Sequence, residues 1–157
     1  MAQGIEQEAS KTAMAHHTKD KGDTGLGFVI ADLMSKGVQI ALPISEHLPF
    51  DCIAISNEGK LCRVSVKYRE MRNGAIKVQT RSSWADRHGC HIRLHLRTDY
   101  DAIGIYCPDT KKCYYIRCEE LASRSITLRI IAAKNSQLLK VKIAETFENP
   151  ARIFSAK

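Results

Sequence analysis

Asp51 and Lys67 are the two residues of this chain whose types and surroundings suit the hydrolysis of a phosphodiester. A carboxylate can hold Mg2+, which polarises the phosphate and lowers the pKa of an attacking water. An ammonium beside it can orient that water or stabilise the negative charge that develops. A hairpin would bring the two together. Asn57-Glu58-Gly59 reads as a three-residue turn with glycine where positive φ is needed. If it closes Ser56 on Lys60, Asp51 lies opposite Ser65. Lys67 is then diagonal to Asp51 and shares a strand face with Ser65. Taken alone, the two residues are better read as a structural Asp–Lys pair on a solvated strand.

Arg72-Asn73-Gly74 reads as a second turn of the same kind. The same count then sets Lys67 opposite Gln79, Ser65 opposite Arg81 and Arg69 opposite Lys77. One sheet face would gather Asp51, Arg63, Ser65, Lys67, Arg69, Lys77, Gln79 and Arg81, while Cys62, Val64, Val66, Ile76, Val78 and Thr80 form core behind it. The charge agrees with such a face. Ten lysines and arginines between Lys60 and Arg97 meet only Glu70 and Asp86, so this segment carries +8 of a net +7 and the remainder sums to −1. Concentration of charge in one stretch is what a phosphate-binding surface requires.

The elements that would position these residues follow from punctuation and periodicity. Asp23-Thr24 can cap a helix whose apolar face is Leu26, Val29, Ile30, Leu33 and Met34, closed by Lys36-Gly37. Val38–Leu42 reads as a short strand and Phe50–Ser56 as the next, joined by a loop between Pro43 and Pro49. Leu61–Arg69 and Ala75–Arg81 are strands, whereas Ser82–Thr98 is polar and irregular. Tyr100–Tyr106 and Cys113–Cys118 pair around Pro108-Asp109-Thr110. Ile126–Ala132 reads as a strand and Val141–Phe147 as a terminal helix.

The chain has 157 residues, enough for one domain with its own core. No apolar run approaches the ~20 residues that span a bilayer. The first 18 residues lack the apolar centre of a signal peptide and read as a disordered leader, which points to the cytoplasm. Six cysteines without an export signal read as buried free thiols. His88, Cys90, His91 and His95 are ligand types, but no second pair at zinc spacing accompanies them, so they read as solvated or phosphate-facing.

Pro49-Phe50-Asp51 followed after a hairpin by Ser65-Val66-Lys67 resembles the PD-(D/E)xK nuclease signature. The order of KGDTGLGFVIADLMSKG, LPISEHLPFDCIAI, CRVSVKYREMRNGAIKVQTRSS and YDAIGIYCPDTKKCYYI is similar to the group I intron-encoded homing endonucleases of that superfamily, over about residues 19–117. The resemblance implies an α/β fold of restriction-endonuclease type. Its mixed central sheet is flanked by helices in an α-β-β-β-α-β core, and residues 19–157 form one nuclease domain. It further implies site-specific, Mg2+-dependent cleavage of double-stranded DNA by a homodimer or homotetramer. Asp51, the Val66 carbonyl and a displaced acid, Asp23, are then the metal ligands, with Ser65 and Lys67 completing the catalytic set. Arg63, Arg69, Arg72, Lys77, Gln79 and Arg81 are the DNA contacts. Two positions depart from the family pattern. Leu26 stands where a helix glutamate is usual, and Ser65 where an acid or amide is usual. A catalytically degenerate DNA-binding protein on the same fold is therefore the alternative.

Overall fold

The computed structural model describes residues 17–79, 81–94, 98–121, 125–131 and 141–155, without the side chains of 17, 81–86 and 90–94. Its elements in chain order are helix α1 (His17–Ser35), β1 (Gln39–Ala41), β2 (Cys52–Ile55), β3 (Leu61–Tyr68), β4 (Ala75–Gln79), β5 (Arg81–Asp86), β6 (Gly89–Leu94), β7 (Ala102–Cys107), β8 (Lys112–Arg117), β9 (Ser125–Arg129) and β10 (Lys142–Ile143). Short 3-10 turns occupy Cys118–Glu120, Ala144–Phe147 and Pro150–Phe154.

The strands form a five-stranded sheet β1-β2-β3-β7-β8, a three-stranded sheet β10-β9-β4 and a two-stranded ribbon β5-β6. In the large sheet β3 pairs with β7 in parallel and the other pairs are antiparallel, so the sheet is mixed. Even-numbered β3 residues face α1, where Val29, Leu33, Cys52, Ala54, Cys62, Val64, Ala102 and Tyr115 close one core. On the opposite face Ile103, Ile105, Tyr114 and Ile116 of β7 and β8 pack against Ile76, Val78, Ile126 and Leu128 of the smaller sheet. The large sheet is thus covered by a helix on one side and by a second sheet on the other.

Helix α1 begins at His17, so Asp23 and Thr24 lie inside it rather than at its cap. No proline or β-branched run in HTKDKG stops the helix from extending backward. Its end is the expected one. Gly37 has φ 80°, its N–H donates to the Met34 carbonyl, and the Val38 N–H donates to Leu33, a glycine-closed Schellman turn. Gly25 is needed for close approach, because a Cβ there would sit 3.3 Å from the Tyr68 Cβ. Val29 and Leu33 are fully buried, but Met34 remains exposed.

The first hairpin has the expected register, with Cys52 opposite Val64, Ile53 opposite Arg63 and Ile55 opposite Leu61. The second does not. Asn73 and Gly74, both at positive φ, make a two-residue turn that closes Arg72 on Ala75, one residue away from the expected register. Beyond that turn β4 leaves β3 and pairs with β9. A strand has two edges, and those of β3 are taken by β2 and β7. Lys67, Ser65 and Arg69 therefore do not pair with Gln79, Arg81 and Lys77. Ile76 and Val78 join the core on the face away from Val64.

Three further expectations are corrected. The polar stretch after Arg81 forms a regular antiparallel ribbon, from Arg81 opposite Leu94 to Asp86 opposite Gly89. It stands where the family pattern implies a second helix. The segment expected as a terminal helix begins as β10, parallel to β9, and continues as a single 3-10 turn. No helix of the described residues is long and apolar enough to cross a membrane.

Candidate active site

Strand β2 begins at Cys52, so β3 runs beyond it from Ser65 to Tyr68 with no residue of β2 opposite. Asp51 fills the first of these vacancies. Its N–H donates to the Val64 carbonyl at 2.9 Å, and its carboxylate Oδ2 accepts from the Val66 N–H. The N–H and C=O of a strand residue share one edge. The Val66 carbonyl therefore points to the side on which the Asp51 carboxylate sits.

Ser65 and Lys67 lie on the face of β3 away from α1. There they neighbour Ile103 and Ile105 across the parallel pair, with Phe50 packed on the same core. Ser65 is buried at 2% exposure, one of the few polar side chains in the interior. Lys67 is partly buried. Desolvation pulls its ammonium below the ordinary lysine value, the Asp51 charge pulls it up, and Arg69 pulls it down again. The arrangement brings together a carboxylate, a backbone carbonyl and a desolvated amine at the rim between the covered and uncovered parts of the sheet.

Among the described residues no group of three or more His, Cys, Asp or Glu is placed to hold a metal ion. Asp23 is exposed on α1, and no described hydrogen bond or ion pair ties it to β2 or β3. Leu26 is half-buried on the same helix. One carboxylate and one carbonyl form a minimal donor set, yet Mg2+ commonly keeps several waters and takes oxygens from a substrate phosphate. The residues present meet that lower limit.

Beyond Lys67 the end of β3 opens into a groove of about 620 Å3, lined by Tyr68, Arg69, Arg72, Lys77, Gln79 and Lys21, among others. The four basic residues reach it from α1, from β3, from the Asn73-Gly74 turn and from β4. Proximity across the groove thus replaces the expected pairing of β3 with β4. Arg69 is partly buried and its guanidinium, held on the Tyr68 carbonyl at 2.8 Å, is desolvated, which lowers its pKa. Glu70 is the acid of this lining. It pairs with Lys21 at 2.6 Å, which lowers the Glu70 carboxyl and raises the Lys21 amine. Lys21 also stands 5.5 Å from the Tyr68 ring. The charge concentration after Lys60 gives no sign of Lys21, because the helix that returns it to the groove precedes that segment.

Arg63 is engaged elsewhere. It grips both carboxylate oxygens of Asp101 at 2.9 and 3.1 Å and donates to the Thr98 carbonyl at 3.0 Å. Asp101 in turn accepts from the Arg63 N–H at 2.8 Å, and its carboxyl is held below the usual range. Arg81 lies at the start of the ribbon, its side chain outside the described residues. At the ribbon tip Arg87 and His88 are exposed. Cys90 and His91 lie in β6 with side chains outside the described residues, as is all of His95. The other five cysteines are free and buried, and burial pushes the Cys52, Cys62 and Cys113 thiols up to about 12.

A family model described as PD-(D/E)XK endonuclease matches residues 16–150. A solved structure titled as that of a bacterial homing endonuclease, I-Ssp6803I, superposes with a TM-score of 0.69 at 19% identity, covering 87% of this chain and 92% of the other. None of the curated proteins compared matches the sequence.

Proposed function

The chain belongs to the PD-(D/E)XK endonuclease family, and on that premise we propose that it is a site-specific, Mg2+-dependent endonuclease of double-stranded DNA, acting inside the cell as a homo-oligomer. One observation carries the reading. The Asp51 carboxylate is fixed on the Val66 N–H one strand position from Lys67, within the segment the family model matches. Asp51 and the Val66 carbonyl would hold the metal ion, which when bound polarises the scissile phosphate and lowers the pKa of water. Lys67 positions the nucleophile and meets the charge that develops on the phosphate. Ser65 holds the strand position between Asp51 and Lys67 as a small, buried hydroxyl.

Arg69, Arg72, Lys77, Gln79 and Lys21 then receive the backbone of the duplex in the groove. The ribbon that continues from β4 carries Arg81, Arg87 and Arg93 and has the form of the two-stranded elements that enter a major groove. A supercoiled plasmid and a library of randomised duplexes, incubated with Mg2+ or EDTA, test the proposal. Recurrent breaks at one sequence, abolished by EDTA, are expected. DNA that is bound but never cut under any divalent ion supports the second reading, a non-catalytic binder. Leu26 and Ser65 favour that reading, since they leave Asp51 without acidic companions at the two family positions.

A further inference from the structure

Two aspartates stand in for missing strand backbone around the end of β3, one on each edge. Asp51 does so on the β2 edge, through the Val66 N–H. On the β7 edge the Arg69 N–H still donates to the Tyr106 carbonyl at 2.9 Å. The return bond of a parallel ladder would come from residue 108, which is proline and has no N–H. One step further the Met71 N–H points to the same edge. There the Asp109 carboxylate takes it, with Oδ2 accepting at 2.7 Å across 38 residues of chain. Asp109 sits in the turn between β7 and β8, and that turn is itself braced. Lys111 holds φ 53°, the Thr110 hydroxyl donates to the Cys107 carbonyl at 3.4 Å, and the buried Tyr114 hydroxyl donates to Thr110 at 3.0 Å. The Cys107 thiol lies 3.8 Å from the same Asp109 oxygen. Met71 is the middle of the groove wall, between Arg69 and Arg72, which both line the groove. Its side chain packs on the core, and Arg72 is tied forward to Ala75 across the Asn73-Gly74 turn. Between the Arg69 bond and that turn, the Asp109 bond fastens the backbone of the wall to the large sheet.

We infer that Asp109 is a positioning residue of the groove: its carboxylate fixes the backbone that presents Arg69 and Arg72 to the phosphates of a duplex. This role rests on the reading of the groove as a DNA site. Charge cannot be what Asp109 contributes. A carboxylate near four cations repels phosphate and weakens their field. Its charge does reach the groove: the Lys21 bond lowers the Glu70 carboxyl, and Asp109 works against that lowering. An acid at the rim of an anion site opposes binding by its charge and assists only through geometry. Phosphate contacts set the register of a protein on a duplex. Arg69 and Arg72 on a wall free to slide would keep their charge and lose that register, and the ordering would have to be supplied on binding.

Charge and hydrogen bond act with opposite signs, so two variants of the full chain separate them. Asp109→Asn keeps an oxygen for the Met71 N–H and removes the charge, whereas Asp109→Ala removes both. The position is exposed in a turn, so the fold tolerates either change, and circular dichroism checks this. The first assay is titration of a mixed-sequence duplex in EDTA at one fixed salt concentration. Asn is expected to bind up to about threefold tighter than the parent, through lost repulsion. Ala is expected to bind about tenfold weaker than Asn, the worth of one charge-assisted contact, although both variants have lost the same charge. Equal affinity of the two variants, whether above or below the parent, overturns the inference. The second assay needs no DNA. Amide exchange at Met71 should quicken about tenfold or more in Ala and stay near the parent rate in Asn, in line with the loss of one such bond. Unchanged exchange in Ala overturns the anchor whether or not DNA binds. A parent that binds no duplex, with exchange still quickened in Ala, would sink the DNA reading of the groove and leave the anchor standing.

Discussion

Asp51→Asn separates the charge of Asp51 from its hydrogen bond. The carboxylate does two things in this structure: it satisfies the Val66 N–H where β2 has ended, and it holds a negative charge beside the Val66 carbonyl and Lys67. Asparagine keeps an oxygen for the N–H but removes the charge. A bond to a charged acceptor contributes about 1.5–3 kcal/mol against roughly 1 for a neutral one, so Asn should cost the fold about 0.5–2 kcal/mol. Alanine also leaves the N–H unpaired and should cost about 1 kcal/mol more, a further ~2–4 °C in Tm. DNA binding should not weaken. At roughly 6 Å in a water-like dielectric a unit charge repels a phosphate by about 0.7 kcal/mol, so Asn should bind about threefold tighter. Cleavage should disappear in both variants. The assay is a matched set of melting curves, duplex titrations in EDTA and plasmid cutting in Mg2+. Metal-dependent cutting by Asp51→Asn within tenfold of the parent would refute the site and the alignment of Pro49-Phe50-Asp51 behind it.

Lys67→Met should stop cleavage yet raise stability by about 0.5–2 kcal/mol, because it removes an amine that burial desolvates; a lowered Tm would show that the ammonium is held by more than Asp51. As that amine has a lowered folded-state pKa, its cost to stability is greatest below that pKa and fades as pH rises towards the ordinary lysine value; Lys67→Met should flatten the alkaline limb of a stability–pH curve. Neutralising Arg69, Arg72 or Lys77 should each reduce the log–log salt slope of DNA binding by about 0.9, while Arg63→Ala leaves the slope alone and lowers Tm through its lost grip on Asp101. Asp101 works with the opposite sign. Its depressed carboxyl contributes stability above the ordinary aspartate pKa, lost as pH falls through the folded value, and Arg63→Ala should remove that acid limb from the melting profile. Ser65→Glu with Leu26→Glu should melt earlier in EDTA, since position 65 is buried, and recover part of the loss in Mg2+; no recovery would show that position 65 faces no metal.

The legible parts of the fold were those fixed by neighbours in sequence. The Asn57-Gly59 turn and the alternation of Cys62, Val64 and Val66 set the β2-β3 register, and with it the meeting of Asp51, Ser65 and Lys67. The β3-β4 pairing failed for a reason no local pattern contains. Strand β7, more than thirty residues later, takes the edge of β3 that an isolated hairpin would have offered to β4. The ribbon was hidden because Arg81–Leu94 lacks a one-sided apolar alternation, the usual strand signal. Asp23-Thr24 imitates a helix cap in mid-helix, and the helix before it is what returns Lys21 to the groove. Arg63 has the type and position of a DNA contact. Its engagement by Asp101 depends on the parallel pairing that brings the start of β7 beside it.

The parallel pairing of β3 with β7 makes everything from Arg69 to Asp101 a single crossover loop in the entropic sense. The ribbon, residues 81–94, closes its ladder within itself and forms its own sheet inside that loop. Loop entropy grows only with the logarithm of length, so removing these residues, or doubling them, changes the closure free energy by roughly 0.5 kcal/mol. Drift in the ribbon is therefore nearly silent to folding, while Asp51 and Lys67 stay fixed by β2, β3 and β7. A lineage carrying this fold can lengthen, shorten or rewrite the projecting ribbon without first acquiring compensating changes in the core.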